Sequence, residues 1–76
     1  MELKPYEKLG NAIIVQAAKD YRSALKTLIR NNKNQIALSE KRKIEKFFRS
    51  DWYELLTDIS ADYLIKHIEK EVGFNE

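Results

Sequence analysis

Cysteine is absent from this chain of 76 residues, which also contains only one histidine, one proline and two glycines. The lack of cysteine excludes disulfides, zinc-thiolate sites, iron–sulfur clusters and thiol catalysis, and it fits a reducing cytoplasm. The glycines, Gly10 and Gly73, stand near opposite ends, so no glycine-rich loop can bind a phosphate group. We therefore expect no cofactor.

Long apolar stretches are missing as well. No run approaches the roughly 20 apolar residues that a transmembrane helix needs. The first residues, which include Glu2 and Glu7, lack the basic and then apolar order of a signal peptide. We expect a soluble, cytoplasmic protein without a membrane partner. A chain of this size has room for one small core, but not for separate cofactor and substrate domains.

Apolar residues recur at spacings of three and four along most of the chain, and the alternation typical of strands is absent. This pattern predicts an all-α fold, a compact three- to four-helix bundle. The predicted helices cover about residues 12–30, 35–49, 51–57 and 61–72. We expect residues 1–10 to form a loosely ordered N-terminal arm and residues 11–76 to form a single helical domain.

Polar residues and one glycine mark the ends of the predicted helices. Asn11, Asn34 and Ser60 are predicted N-caps, and Gly73 stands where the last helix stops. The boundary at Ser50 is ambiguous, because the apolar pattern of the second helix continues past it. We favour a break there, with Ser50 as the cap of a short third helix.

The stretch FFRSDWYELLTD holds the only tryptophan, two of the three phenylalanines and a Leu-Leu pair, so it is expected to supply the centre of the core. Phe48 and Leu55 are predicted core residues, and the helices are expected to close over Trp52 and Leu55. Phe47 and Tyr53 fall off the apolar face. Tyr53 is therefore the first candidate for an exposed partner contact, followed by Trp52 and Phe47. A stacking platform for single-stranded nucleic acid is the alternative for these rings.

The net charge of +2 conceals two regions of opposite sign. Residues 19–49 contain ten Lys and Arg against three acidic residues, whereas residues 50–76 contain two against seven. A charge dipole of this kind influences solubility and encounter with partners, but not the fold.

Basic residues repeat at helical spacing along the first two predicted helices. Side by side on a helical hairpin, two such rows would suit a phosphate backbone or an acidic partner. The alternative is an ordinary solvated face, since no helix-turn-helix pattern with a glycine turn accompanies the rows. The candidate face comprises Lys19, Arg22, Lys26, Arg30, Lys33, Arg42, Lys46 and Arg49.

The acidic residues and the histidine do not form a recognisable catalytic or metal site in the sequence. Asp51, Glu54 and Asp58 share one helical face, but no further ligand completes a metal set, so capping and solubility explain them better. His67 lacks a neighbouring group that would make it a general base. We expect no metal site and no enzyme activity.

Four short stretches carry a resemblance to known proteins. They are DYR at residues 20–22, FFRSDWY at 47–53, LTD at 56–58 and YLI at 63–65. Over about residues 12–72 the chain resembles a group of small proteins encoded by phages and integrative elements of Gram-positive bacteria, a group without an assigned activity. One departure is Ser60-Ala61, where the group has Asp-Gly. The resemblance implies a mobile-element setting in a bacterial host, and it transfers no catalytic residue and no ligand.

These observations favour a small non-catalytic protein that binds a protein of the host or of the mobile element. Inhibition of a host defence complex, as by an anti-CRISPR protein, is one concrete version of this hypothesis. A DNA- or RNA-binding accessory factor that uses the basic face is the alternative. A self-associating structural protein with an exposed Tyr53 and Phe47 patch is the third, and the oligomeric state stays open.

Overall fold

Four α-helices follow one another in the computed structural model, which describes the backbone of residues 5–74 and the side chains of residues 10–74. Their bounds are α1 Pro5–Arg30, α2 Gln35–Phe48, α3 Asp51–Leu56 and α4 Ala61–Val72. Residues 5–74 contain no strand. The predicted all-α bundle is therefore confirmed, with four helices.

The first helix begins earlier than predicted. α1 already includes residues 5–10, and Asn11 lies inside the helix instead of capping it. Residues 5–10, which the sequence pattern assigned to a loosely ordered N-terminal arm, are thus part of α1, whereas residues 1–4 lie outside the described part of the chain. Pro5 is the first residue of α1, a position that suits its fixed φ and its missing N–H group. Gly10 is buried within the helix, where α3 packs against α1.

The other helix ends follow the predicted local chemistry. The side-chain oxygen of Asn34 accepts a hydrogen bond from the backbone N–H of Ala37 at 2.9 Å. Ser50 and Ser60 cap α3 and α4 in the same way. Gly73 ends α4 with a φ of +75°, a left-handed conformation that glycine adopts without strain. The predicted break at Ser50 is confirmed.

The core lies where α1 meets the other three helices, and an aromatic cluster forms its centre. The ring of Phe48 packs edge-on against the rings of Tyr21 and Tyr53, with centroids 5.7 Å apart in both pairs. Such T-shaped pairs stabilise a core beyond the area that they bury. The buried cluster comprises Ile14, Tyr21, Leu25, Ile44, Phe48, Tyr53, Ile65 and Ile68.

Two predictions about the core were wrong. Trp52 and Leu55, the predicted centre, are 55% and 80% exposed, whereas Tyr53, the predicted surface aromatic, is only 2% exposed. The reason is the break at Ser50, because it ends the periodicity of α2 and starts α3 in a new orientation. Tyr53 and Leu56 therefore point inward. The predicted burial of Phe48 is confirmed.

Candidate docking surface on helix α3

Helix α3 has only six residues, yet several contacts hold it in place. The Ser50 hydroxyl accepts from the N–H of Tyr53 at 3.2 Å and donates to the carbonyl of Phe47 at 2.6 Å. Tyr53 is buried among the aromatic rings, and Leu56 lies against Gly10 of α1. The inner face of α3 is thus fixed, and its outer face is presented on a supported helix.

The outer face of α3 carries two large apolar side chains. Trp52 and Leu55 stand three residues apart, which places them about one helical turn from each other. Asp51, Glu54 and Asp58 are exposed beside them. We call these five residues the outer α3 surface. Exposed apolar side chains with a polar rim are characteristic of protein interaction sites.

A cleft of about 530 Å³ opens next to this surface, between α3 and the beginning of α4. Glu54, Asp58, Ile59 and Asp62 are among the residues that line it. Ile59 is about half exposed, so the apolar character of the outer α3 surface extends into the cleft. Arg49 also lines the cleft, and its guanidinium donates to Asp62 at 2.8 Å. This hydrogen bond raises the pKa of Arg49.

Among the three aromatic residues predicted to contact a partner, only Trp52 is exposed. Phe47 is partly buried, with its ring 5.9 Å from that of Tyr53 and 5.7 Å from that of Phe48. The predicted Tyr53 and Phe47 patch therefore does not exist as a surface. Leu55 was missed because its place in the apolar pattern indicated the core.

Two cations of the predicted basic face, one in each row, are paired with carboxylates of α4. Arg22 of α1 binds Glu71 through two hydrogen bonds, of 2.9 and 3.1 Å, and Arg49 binds Asp62. Both acceptors lie on α4, so this helix neutralises one cation in each row. The cations of the face that stay exposed without an ion pair to another described residue are Lys19, Lys26, Arg30, Lys33, Arg42 and Lys46.

Glu45 joins α1 and α2 through a network that the sequence did not reveal. Its carboxylate accepts from the Tyr21 hydroxyl at 2.6 Å and from Lys41 at 2.8 Å. Partial burial alone would raise the pKa of Glu45, but these two hydrogen bonds and the charges of Lys41 and Arg49 together lower it. The network is structural, because it provides a hydrogen-bond acceptor for the hydroxyl of the buried Tyr21.

The remaining features of the described side chains concern metal ligands, the histidine and a buried hydroxyl group. No group of three or more His, Cys, Asp or Glu able to hold a metal ion occurs there. His67 is exposed, and its ring stacks on Tyr63 with centroids 6.0 Å apart. The Tyr53 hydroxyl is buried without a hydrogen-bond partner, and burial raises the pKa of Tyr53. None of the helices as described has the length and apolar content to cross a membrane.

No family model, curated protein or solved structure matches this chain. The resemblance to small phage and integrative-element proteins therefore stays a prediction. The geometry of the outer α3 surface and the exposed cations of α1 are the features on which a functional proposal can rest.

Proposed function

We propose that this protein acts without catalysis, by binding another protein through the outer α3 surface. The exposure of Leu55 beside Trp52 is the observation that supports this proposal most directly. Covering a leucine side chain with a partner gains about 1.5–3 kcal/mol from the removal of its apolar area from water. Tryptophan is among the residues that contribute most to binding energy in protein interfaces.

The sequence resemblance supports a partner from a bacterial host or from the mobile element itself. In this proposal the protein works in the bacterial cytoplasm and blocks a surface of its partner. Inhibition of a host defence complex is its most specific form. The small size of the chain suits such a role, because docking requires one supported surface and no catalytic cleft.

A comparison of three tagged proteins in one host lysate tests the proposal. They are the wild type, Trp52→Ala/Leu55→Ala, and the matched control Lys19→Ala/Lys26→Ala, which changes two exposed residues of α1. We expect one protein to be retained by the wild type and the control but lost by the α3 variant. Equal retention by all three proteins, or no retained protein at all, would contradict the proposal. Circular dichroism of each variant verifies that the helices persist.

Nucleic-acid binding is the second candidate function, and the exposed cations of α1 favour it. Lys19, Lys26, Arg30 and the loop residue Lys33 form no ion pair with another described residue. If they contact phosphates, the affinity falls steeply with salt, and Lys19→Glu/Lys26→Glu weakens it further. Arg22 is a poor choice for this test because it binds Glu71. The absence of a mobility shift on duplex and single-stranded DNA and RNA at low salt would remove this candidate.

A further inference from the structure

We infer that the segment bound by the outer α3 surface is a basic amphipathic segment of the partner protein. Its apolar side chains cover Leu55 and Trp52, and its Lys or Arg side chains meet the surrounding carboxylates. This inference rests on the proposed function and specifies the chemistry of the partner.

The charge around the outer α3 surface supports the choice of a basic partner. Residues 50–65 contain four carboxylates and neither Lys nor Arg. The nearest cation in sequence, Arg49, is already bound to Asp62. The other three carboxylates, Asp51, Glu54 and Asp58, form no ion pair with a described residue. Their negative potential attracts cations and repels phosphates, which disfavours nucleic acid and anionic lipid at this surface.

The exposed Trp52 and Leu55 require apolar side chains in the partner in addition to basic ones. Leu55 stands four residues after Asp51, so a side chain that covers Leu55 comes close to the Asp51 carboxylate. Exclusion of water by the apolar contact lowers the local dielectric and strengthens the neighbouring charge pairs. A segment with cations and apolar side chains on one face meets both requirements.

A second copy of this chain is the competing occupant. Its α1 also presents cations together with the half-exposed Val15 and Ile29. However, Arg22 in the middle of that row is bound to Glu71, which places a carboxylate within the basic face. Contact between two different surfaces would also produce a ring or an open chain of copies.

Fluorescence of Trp52 provides the test, because it is the only tryptophan of the chain and belongs to the surface itself. The probe is a tryptophan-free helical peptide of Leu and Lys, and the control peptide has Glu in place of Lys. We expect the Leu/Lys peptide to shift the Trp52 emission to the blue in a saturable manner. Its affinity should fall on the order of tenfold as salt rises from low to physiological concentration, because the contacting charges are exposed. The Leu/Glu peptide should leave the emission unchanged.

Variants localise the binding. Asp51→Asn/Glu54→Gln is expected to weaken the Leu/Lys peptide by on the order of tenfold. The matched control Asp20→Asn/Glu40→Gln removes two exposed carboxylates from α1 and α2 and should keep the affinity. Because Asp51 and Glu54 also stabilise the N-terminus of α3, Leu55→Lys gives an independent test. It changes an exposed residue, places a cation in the surface and should abolish binding.

The outcomes separate this inference from the proposed function. If both peptides bind equally, or if the control variant weakens binding as much as the α3 variant, the basic partner is wrong. If neither peptide binds, but a lysate protein is still lost by Trp52→Ala/Leu55→Ala, only the inferred partner chemistry fails. A sedimentation mass that rises with concentration and falls with Leu55→Lys would identify a second copy as the occupant and overturn the inference. If both experiments fail, both proposals are wrong.

Discussion

Two buried tyrosines flank Phe48, and their hydroxyl groups have different surroundings. Tyr21 on α1 is fully buried, and its hydroxyl donates to Glu45 at 2.6 Å. Tyr53 on α3 is equally enclosed, but its hydroxyl has no hydrogen-bond partner among the described residues. The junction of α1 with α2 therefore combines apolar packing with a hydrogen bond to a charged group. On the other side of Phe48, burial of the Tyr53 ring is opposed by the desolvation of its hydroxyl.

Phe48→Ala should lower the unfolding free energy most, because both tyrosine rings pack against Phe48. Removal of a buried phenylalanine side chain costs about 3–5 kcal/mol of unfolding free energy. Chemical denaturation followed by circular dichroism measures the loss. Leu55→Ala is the control, and its exposed side chain should change the free energy by less than about 0.5 kcal/mol. A comparable loss in Leu55→Ala would show that the Leu55 side chain is buried in the folded protein.

Tyr21→Phe should come next, with a loss of about 1–2 kcal/mol, because it removes a hydrogen bond donated to a charged acceptor. Glu45 keeps its contact with Lys41 in this variant, so its carboxylate is not left without a partner. The same denaturation measurement applies. An unchanged stability would mean that the hydrogen bond to Glu45 contributes nothing to the folded state.

The effect of Tyr21→Phe should depend on pH. The pKa of Glu45 is lowered in the folded protein from its usual value of 4.5. The stabilisation is therefore complete above the pKa of the unfolded chain and is lost as pH falls through the lower folded pKa. We expect the difference in unfolding free energy between the wild type and Tyr21→Phe to shrink as pH falls below that usual value. A difference that stays constant from neutral to acidic pH would contradict this assignment.

Tyr53→Phe should have the smallest effect and the opposite sign. Removal of a buried hydroxyl without a partner leaves stability unchanged or raises it by up to about 1 kcal/mol. The difference in unfolding free energy between Tyr53→Phe and Tyr21→Phe measures how differently the two hydroxyl groups contribute to stability. A loss as large as that of Tyr21→Phe would show that the Tyr53 hydroxyl has a partner after all.

The sequence predicted the helices and most of their ends, because a cap involves groups only a few residues apart. Asn34, Ser50, Ser60 and Gly73 all act as their chemistry indicates. The orientation of α3 could not be predicted in this way, since it depends on contacts with α1 that are distant in sequence. The beginning of α1 was misplaced for the same reason. Glycine often ends a helix, but Gly10 lies inside α1, against Leu56 of α3.

The ion pairs between residues that are distant in sequence could not be predicted either. Arg22 and Glu71 are 49 residues apart, and no local spacing relates them. Most cations of the predicted basic face are exposed. Which of its cations pair with α4 follows from the tertiary arrangement. Trp52 was predicted as a candidate partner contact, but the exposure of Leu55 was not predicted, because Leu55 has the spacing of a core residue.

Gly10 determines how closely α3 approaches α1. A methyl group at this position would lie 3.2 Å from the Cδ2 atom of Leu56, so that side chain would have to shift by a few tenths of an ångström. Leu56 belongs to the same six-residue helix as the exposed Trp52 and Leu55. A substitution at position 10 therefore acts on the inner side of α3 and leaves every atom of Trp52 and Leu55 unchanged.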